Sequence, residues 1–265
     1  MYTDQDFDNV AFIPDSASYI ERWQEDGQAY RARAASIGQA RLNIPYGPGE
    51  RQKIDLFYPA GKAEGLVVFL HGGYWRRFDR SLWSQFSTGL TASEWAVAIP
   101  SYTLAPDARI SAITLEAARA IETVASLVAG PIIVTGHSAG GHLAARMGCK
   151  DIALASQVRA RIERLVPISP LSDLRALLPI EMNETLRLDP AEAAAESPIL
   201  HDAPDIPTTI WVGAEERPVF LDQAIALADT WGAALRISPG CHHFDVIDGL
   251  SDPESPLVNS LIGGR

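Results

Sequence analysis

The 265-residue chain is 47% hydrophobic and 21% charged, with a formal net charge of -11. That composition supplies one large globular domain spanning 1–265 with a full core, and it excludes disordered, fibrous and short-repeat classes. The acidic balance speaks against nucleic-acid and anionic-membrane partners, which call for clustered Lys and Arg.

The start of the chain carries Asp4, Asp6 and Asp8 but no Lys or Arg, unlike a secretory signal, and the longest apolar runs are too short to span a bilayer. Two distant cysteines, Cys149 and Cys241, suggest no disulfide framework. The expectation is a cytoplasmic protein acting on a small molecule.

Residues 1–50 read as a segment packed over the domain. Its predicted helix, 16–35, sets Tyr19, Trp23 and Tyr30 along one face, with Asp15 or Ser16 as cap. The stretch 44–50, IPYGPGE, is a turn-rich break. Residues 53–58, KIDLFY, form a strand with Ile54, Leu56 and Tyr58 on one side. Residues 66–70, LVVFL, read as a central strand.

That strand runs straight into His71-Gly72-Gly73-Tyr74-Trp75. Open α/β sheets bind ligands beyond the carboxyl ends of their strands, where glycines let backbone N–H groups crowd a substrate oxygen. The Gly73 and Tyr74 amides are the candidate donors. A helix over 79–91, a strand over 95–100, a loop over 101–108 and an amphipathic helix over 110–128 follow.

Residues 131–141, PIIVTGHSAGG, combine a buried strand, a sharp turn and a helix. Gly136, Ser138 and Gly140 spell G-x-S-x-G, a turn that pushes the Ser138 hydroxyl out of the sheet and aims the Ala139 N–H at a developing oxyanion. The plainer alternative is a glycine-rich turn whose serine caps the helix.

A serine nucleophile needs a histidine base oriented by a carboxylate, in the chain order Ser, acid, His. After a strand at 164–168, the segment 170–205 leaves strict β–α alternation and reads as a cap, with two short helices broken at Pro179 and Pro190. His142 lies four residues along the helix after Ser138 and points away, and His201 belongs to the cap. The His242–His243 pair remains. Neighbouring side chains in an extended loop point opposite ways, and His243 is the base of choice. Cys241, His242 and His243 are adjacent, a poor arrangement for one tetrahedral ion, so no metal is expected. The acid comes from the loop after a strand at 206–212, with Glu216 favoured and Glu215 the runner-up. A helix over 221–231, a strand over 234–238 and a closing helix from Ser255 complete the chain.

From about Tyr58 to Asp245 the chain resembles the kynurenine formamidase branch of the α/β-hydrolases. His71–Trp75 resembles its H-G-G-Y-W loop, Ser101–Pro106 its N-Y-x-L-x-P segment with Ser101 where Asn is usual, and Gly136–Gly141 its G-H-S-A-G-G turn. Asp173–Pro198, containing Asn183, resembles its D-L-x-P-L…N-x-x-L-x-L…S-P region, with Ala176 in place of proline. Glu216–Phe220 resembles its acid-bearing D/E-S-P-E-F stretch, with Arg217 and Val219 departing from it. His243-Phe244 resembles its D-H-F segment, with His242 replacing the acidic residue.

The resemblance implies an α/β-hydrolase fold, a mostly parallel sheet with helices on both faces and a small helical cap. It implies hydrolysis of N-formyl-kynurenine by Ser138, Glu216 and His243, with the oxyanion held by Gly73, Tyr74 and Ala139. Gly72, Trp75 and Asn183 become substrate contacts, although Trp75 suits a core position equally well. No cofactor is implied, and a homodimer is compatible. A carboxylesterase of small esters is the competing expectation, favoured by the departures at Arg217, Val219 and His242.

Overall fold

The computed structural model describes residues 2–263. Eight strands form one sheet in the order β1-β2-β4-β3-β5-β6-β7-β8. They are β1 (Ala40–Pro45), β2 (Lys53–Phe57), β3 (Leu66–Leu70), β4 (Ala96–Pro100), β5 (Ile132–His137), β6 (Ile162–Ile168), β7 (Thr209–Gly213) and β8 (Ala234–Ser238). β2 pairs antiparallel with both β1 and β4, and the other pairings are parallel. The carboxyl ends of β3 and β5 to β8 therefore share one edge, where ligands bind in such sheets.

Side chains alternate between two cores. Leu66, Val68 and Leu70 join Ile54, Leu56, Ile110 and Leu143 on one face, with Tyr58 packed against them. Val67 and Phe69 join Phe57, Trp23, Trp83 and Leu257 on the other. The helices Ile110–Ala125, Ala139–Arg146 and Pro218–Trp231 cover the first face; Ser16–Ser36 and Pro256–Ile262 cover the second.

Several predicted elements shift. The helix expected over 79–91 is a 3-10 segment, Arg80–Ser87, continued by Thr88–Ala92. Its buried residues Trp83 and Phe86, like Ser84 and Ser87, recur at a spacing of three, the period at which 3-10 side chains eclipse. Pro190 opens a helix rather than breaking one: it follows Asp189, whose carboxylate accepts the Glu192 N–H at 2.9 Å. β7 begins at Thr209, later than the expected start at Ile206. The short helices Asp4–Phe7 and Asn9–Phe12 and the edge strand β1 lie in the stretch that periodicity left unassigned.

Asp55 ties the N-terminal helix to the sheet edge. Its carboxylate is fully buried and accepts from Arg31 Nε (2.7 Å), Arg80 Nε (3.0 Å) and the Asn43 N–H (2.9 Å). Removing it strands two guanidinium groups at a largely buried site. Asp55→Ala is expected to destabilise the fold by about 3 kcal/mol. Urea unfolding checks this, and a loss within the scatter of ordinary surface substitutions would contradict it.

Candidate active site

A strained backbone turn falls where the sequence places it. Ser138 follows β5 with φ 58° and ψ -118°, outside the regions open to most side chains. Its N–H donates to the Ile168 carbonyl at 2.9 Å, and its own carbonyl accepts from the His142 N–H at 3.0 Å. The turn closes only because its neighbours lack side chains. A Cβ on Gly140 would sit 1.9 Å from the Leu70 carbonyl oxygen, and one on Gly136 2.3 Å from that of Gly140.

The loop after β3 holds three consecutive residues of positive φ, Gly73 (113°), Tyr74 (50°) and Trp75 (55°). The Gly73 carbonyl accepts from the Arg76 and Arg77 N–H groups, each at 3.0 Å. From the following loop, Tyr102 donates its hydroxyl to the His71 carbonyl at 2.7 Å and stacks on the His71 ring with centroids 4.3 Å apart. The 101–106 segment thus braces the glycine loop. Gly72 sits directly behind the elbow, where a Cβ would lie 3.3 Å from that of Ser138. It is close backbone packing rather than a cavity wall.

At the far end of the sheet, the Ala214 N–H donates to the Ser238 carbonyl and the Glu215 N–H to that of Cys241, both at 2.9 Å. These bonds join the loops after β7 and β8. His243 Nδ1 meets Glu216 Oε2 at 2.5 Å, so the other ring nitrogen, Nε2, is not engaged by the carboxylate. Glu216 Oε1 accepts from the Gly213 N–H at 2.8 Å and from the Ser169 hydroxyl. Both side chains are almost fully buried. Glu215 is exposed. His242 turns the other way, its Nε2 meeting the Tyr19 hydroxyl at 3.1 Å while its N–H donates to Asp245 Oδ1 at 2.7 Å.

Ser138, His137 and His243 line one cavity of about 760 Å³, together with Gly73 and Tyr74. Phe7, Trp23, Phe78, Trp83 and Phe244 add aromatic walls. Besides Gly72, two further sequence-predicted contacts lie elsewhere. Trp75 is fully buried in the core, edge-on to His142 at 5.0 Å between ring centroids. Asn183 bonds the cap to itself: its Oδ1 accepts the Leu188 N–H at 2.8 Å and its Nδ2 donates to the Leu178 and Leu188 carbonyls. An asparagine amide is a ready bracket for a short loop, and here both its ends are used.

The sequence reading missed the N-terminal segment and Ser169. Phe7 and Asn9 reach the cavity, and the Tyr74 hydroxyl donates to the Phe7 carbonyl at 2.7 Å. The one local signal was the Thr3–Asp6 capping box, which marks a helix but not its docking place. Ser169, at the end of β6 with φ 48°, had no signal beyond its place after a strand.

His142, predicted to point away, bonds the Glu196 carbonyl through Nε2 at 2.7 Å. Among the described residues, side chains of metal-ligand type cluster at Cys149, Asp151 and His201. None of the three lines the cavity, and Arg146 already holds Asp151.

Burial pushes His71 down to about 4 and His142 down to about 3, and holds His137 well below the usual imidazole range. All three stay neutral in the fold, while the unfolded chain takes up protons below about pH 6.5. The unfolded state then binds more protons, so stability falls as pH drops from about 6.5 toward about 4. Each such histidine contributes up to about 1.4 kcal/mol per pH unit. Urea midpoints at about pH 7.5, 6.5 and 5.5 should decline in the lower interval, and a flat series would contradict the neutral assignment.

A family model described as the alpha/beta hydrolase fold matches residues 67–236. Kynurenine formamidases of Salmo salar and Danio rerio are 28% and 26% identical, each over 87% of this chain and 83% of its own length. The crystal structure of a thioesterase candidate from Silicibacter sp. TM1040 is 48% identical and covers 97% of both chains, with a TM-score of 0.94. Esterase B of Lactobacillus rhamnosis shares the fold at 18% identity, with a TM-score of 0.67 over 92% of this chain and 91% of that one. Among the described residues no helix is long and apolar enough to cross a membrane. With the family model spanning the sheet from β3 to β8, the chain belongs to the α/β-hydrolase fold family.

Proposed function

We propose that the protein is a serine hydrolase of small aryl formamides, cleaving N-formyl-kynurenine to kynurenine and formate. The observation that carries this reading is the shared cavity of Ser138, on its strained turn, and His243, whose ring is bonded to the buried Glu216 carboxylate. The aromatic walls suit an aryl group. The kynurenine formamidases similar to this chain support the formamide as substrate.

In this mechanism Ser138 Oγ attacks the formyl carbon while His243 Nε2 takes its proton. Glu216 stabilises the imidazolium so formed, held in place by Gly213 and Ser169. The Gly73, Tyr74 and Ala139 amides stabilise the oxyanion. On collapse the C–N bond breaks and His243 protonates the departing aryl amine. Water, deprotonated by the same ring, attacks the formyl-enzyme and releases formate. The helical segment 170–205 acts as the cap of this site, the enzyme works in the cytoplasm, and no cofactor takes part.

A carboxylesterase is the second reading, favoured by the esterase and thioesterase-candidate neighbours. The departures at Arg217 and Val219 weigh less for it than the sequence suggested. Arg217 Nε donates to the Asp8 carbonyl at 2.9 Å and its guanidinium lies over the Phe12 ring, while Val219 is buried in the core. Both serve packing. The test is kcat/KM on N-formyl-kynurenine beside p-nitrophenyl acetate. A preference of about a hundredfold for the formamide, about 2.7 kcal/mol, supports the first reading, and the reverse order supports the second.

A further inference from the structure

Among the described residues, the cavity wall holds several buried polar side-chain atoms without a hydrogen-bond partner: besides ring nitrogens of Trp23, Trp83 and His137, these belong to Asn9 and Arg76, an amide and a guanidinium. Asn9 is 4% exposed, and neither its Oδ1 nor its Nδ2 makes a hydrogen bond. Such a buried orphan amide is costly, and native structures keep few of them. Arg76 lines the same cavity with its Nε buried and unbonded, and no carboxylate among the described residues lies within ion-pair distance of it. An unpaired guanidinium facing a cavity is unexpected in a chain of net charge -11.

The acidic groups on the same wall are otherwise engaged or peripheral. Asp4 accepts the Glu181 and Met182 N–H groups, and Asp8 caps Ala11. Glu181 is exposed, and Glu184 stands at the cavity's cap side. Asn9 and Arg76 also share a landmark. Tyr74, two residues before Arg76, donates its hydroxyl to the carbonyl of Phe7, two residues before Asn9. The N-terminal segment is fastened there and again where Arg217 meets the Asp8 carbonyl, so Asn9 is presented by anchored backbone.

We propose that Asn9 and Arg76 form the head-group site of this cavity and select substrates bearing an α-amino-acid group away from the scissile bond. Arg76 pairs with the carboxylate, as a guanidinium fork does best. Asn9 Nδ2 donates to the same carboxylate, and Asn9 Oδ1 accepts from the neighbouring ammonium, so that one amide uses both of its ends. The assignment rests on the reading of Ser138 as a hydrolytic nucleophile, but not on the formamide as substrate.

Aryl acetates separate the two, because the acetyl group can be opened whether or not formamides are. The experiment measures kcat/KM of the wild type, Asn9→Leu and Arg76→Gln on O-acetyl-L-tyrosine and on 4-ethylphenyl acetate, which differ by the amino-acid head alone. The wild type is expected to prefer O-acetyl-L-tyrosine by about twentyfold, and each variant to shrink that ratio at least about fivefold, chiefly through KM. A structural role for either residue lowers both rates together and leaves the ratio intact. An unchanged ratio in either variant, or no wild-type preference, overturns the proposal. Inertness toward N-formyl-kynurenine with the ratio behaving as expected sinks the formamidase reading and supports the head-group site.

Discussion

Ser138→Ala is expected to lower kcat/KM by about 10⁴-fold or more on both formamide and ester, with the fold intact. The size follows from what remains. The variant keeps the cavity, the positive-φ turn at 73–75 and the His243–Glu216 pair, but no atom can form the acyl-enzyme. Alanine fits the turn as well as serine does, since Ser138 makes no side-chain cap bond to the helix it begins. A fluorophosphonate that labels the wild type and spares the variant checks the same claim chemically. Activity within tenfold of the wild type would remove Ser138 from the mechanism.

Glu216→Gln comes second, with an expected loss of about 10³- to 10⁴-fold, mostly in kcat. A glutamine amide can keep the bond from Gly213, yet it carries no charge to stabilise the imidazolium, and it can present a donor to Nδ1 and so favour the wrong tautomer. Glu215→Gln, at an exposed position bonded through its backbone to Cys241, is the contrast and is expected to change kcat/KM less than about twofold. Equal losses in the two variants would return the choice between these neighbours to open ground.

Where one residue carries its own geometric demand, the sequence was legible. Gly136 and Gly140 announce a turn around Ser138 because any Cβ there would sit within 1.9–2.6 Å of the Leu70 and Gly140 backbone. The apolar runs of β3, β4 and β5 announce a doubly covered parallel sheet for the same local reason, as both faces of each strand are buried. In the His242–His243 pair, the two rings take different partners, Tyr19 and Glu216, although residues 243–247 form a turn rather than the extended loop the sequence suggested.

Other assignments depended on who meets whom across the fold. Trp75 suited a cavity wall or the core equally on sequence, and packing against His142 decided for the core. Asn183 was a polar residue in a cap, and only the 178–188 loop closing around it consumed its amide. Asn9 and Arg76 carried no motif. Their significance arises from being enclosed on the cavity wall without partners, a property of tertiary burial that periodicity cannot encode.

The sequence by itself determined the mostly parallel sheet and the strained turn at Ser138, because strand burial and tight turns are imposed by neighbouring residues along the chain. The tertiary structure alone decided which carboxylate is buried against His243, that residues from 4 to 10 wall the cavity, and which polar groups there stay unpaired. Those outcomes depend on contacts between segments far apart in the chain, such as Tyr74 with Phe7 across 67 residues and Arg217 with Asp8 across 209, and no local pattern specifies them.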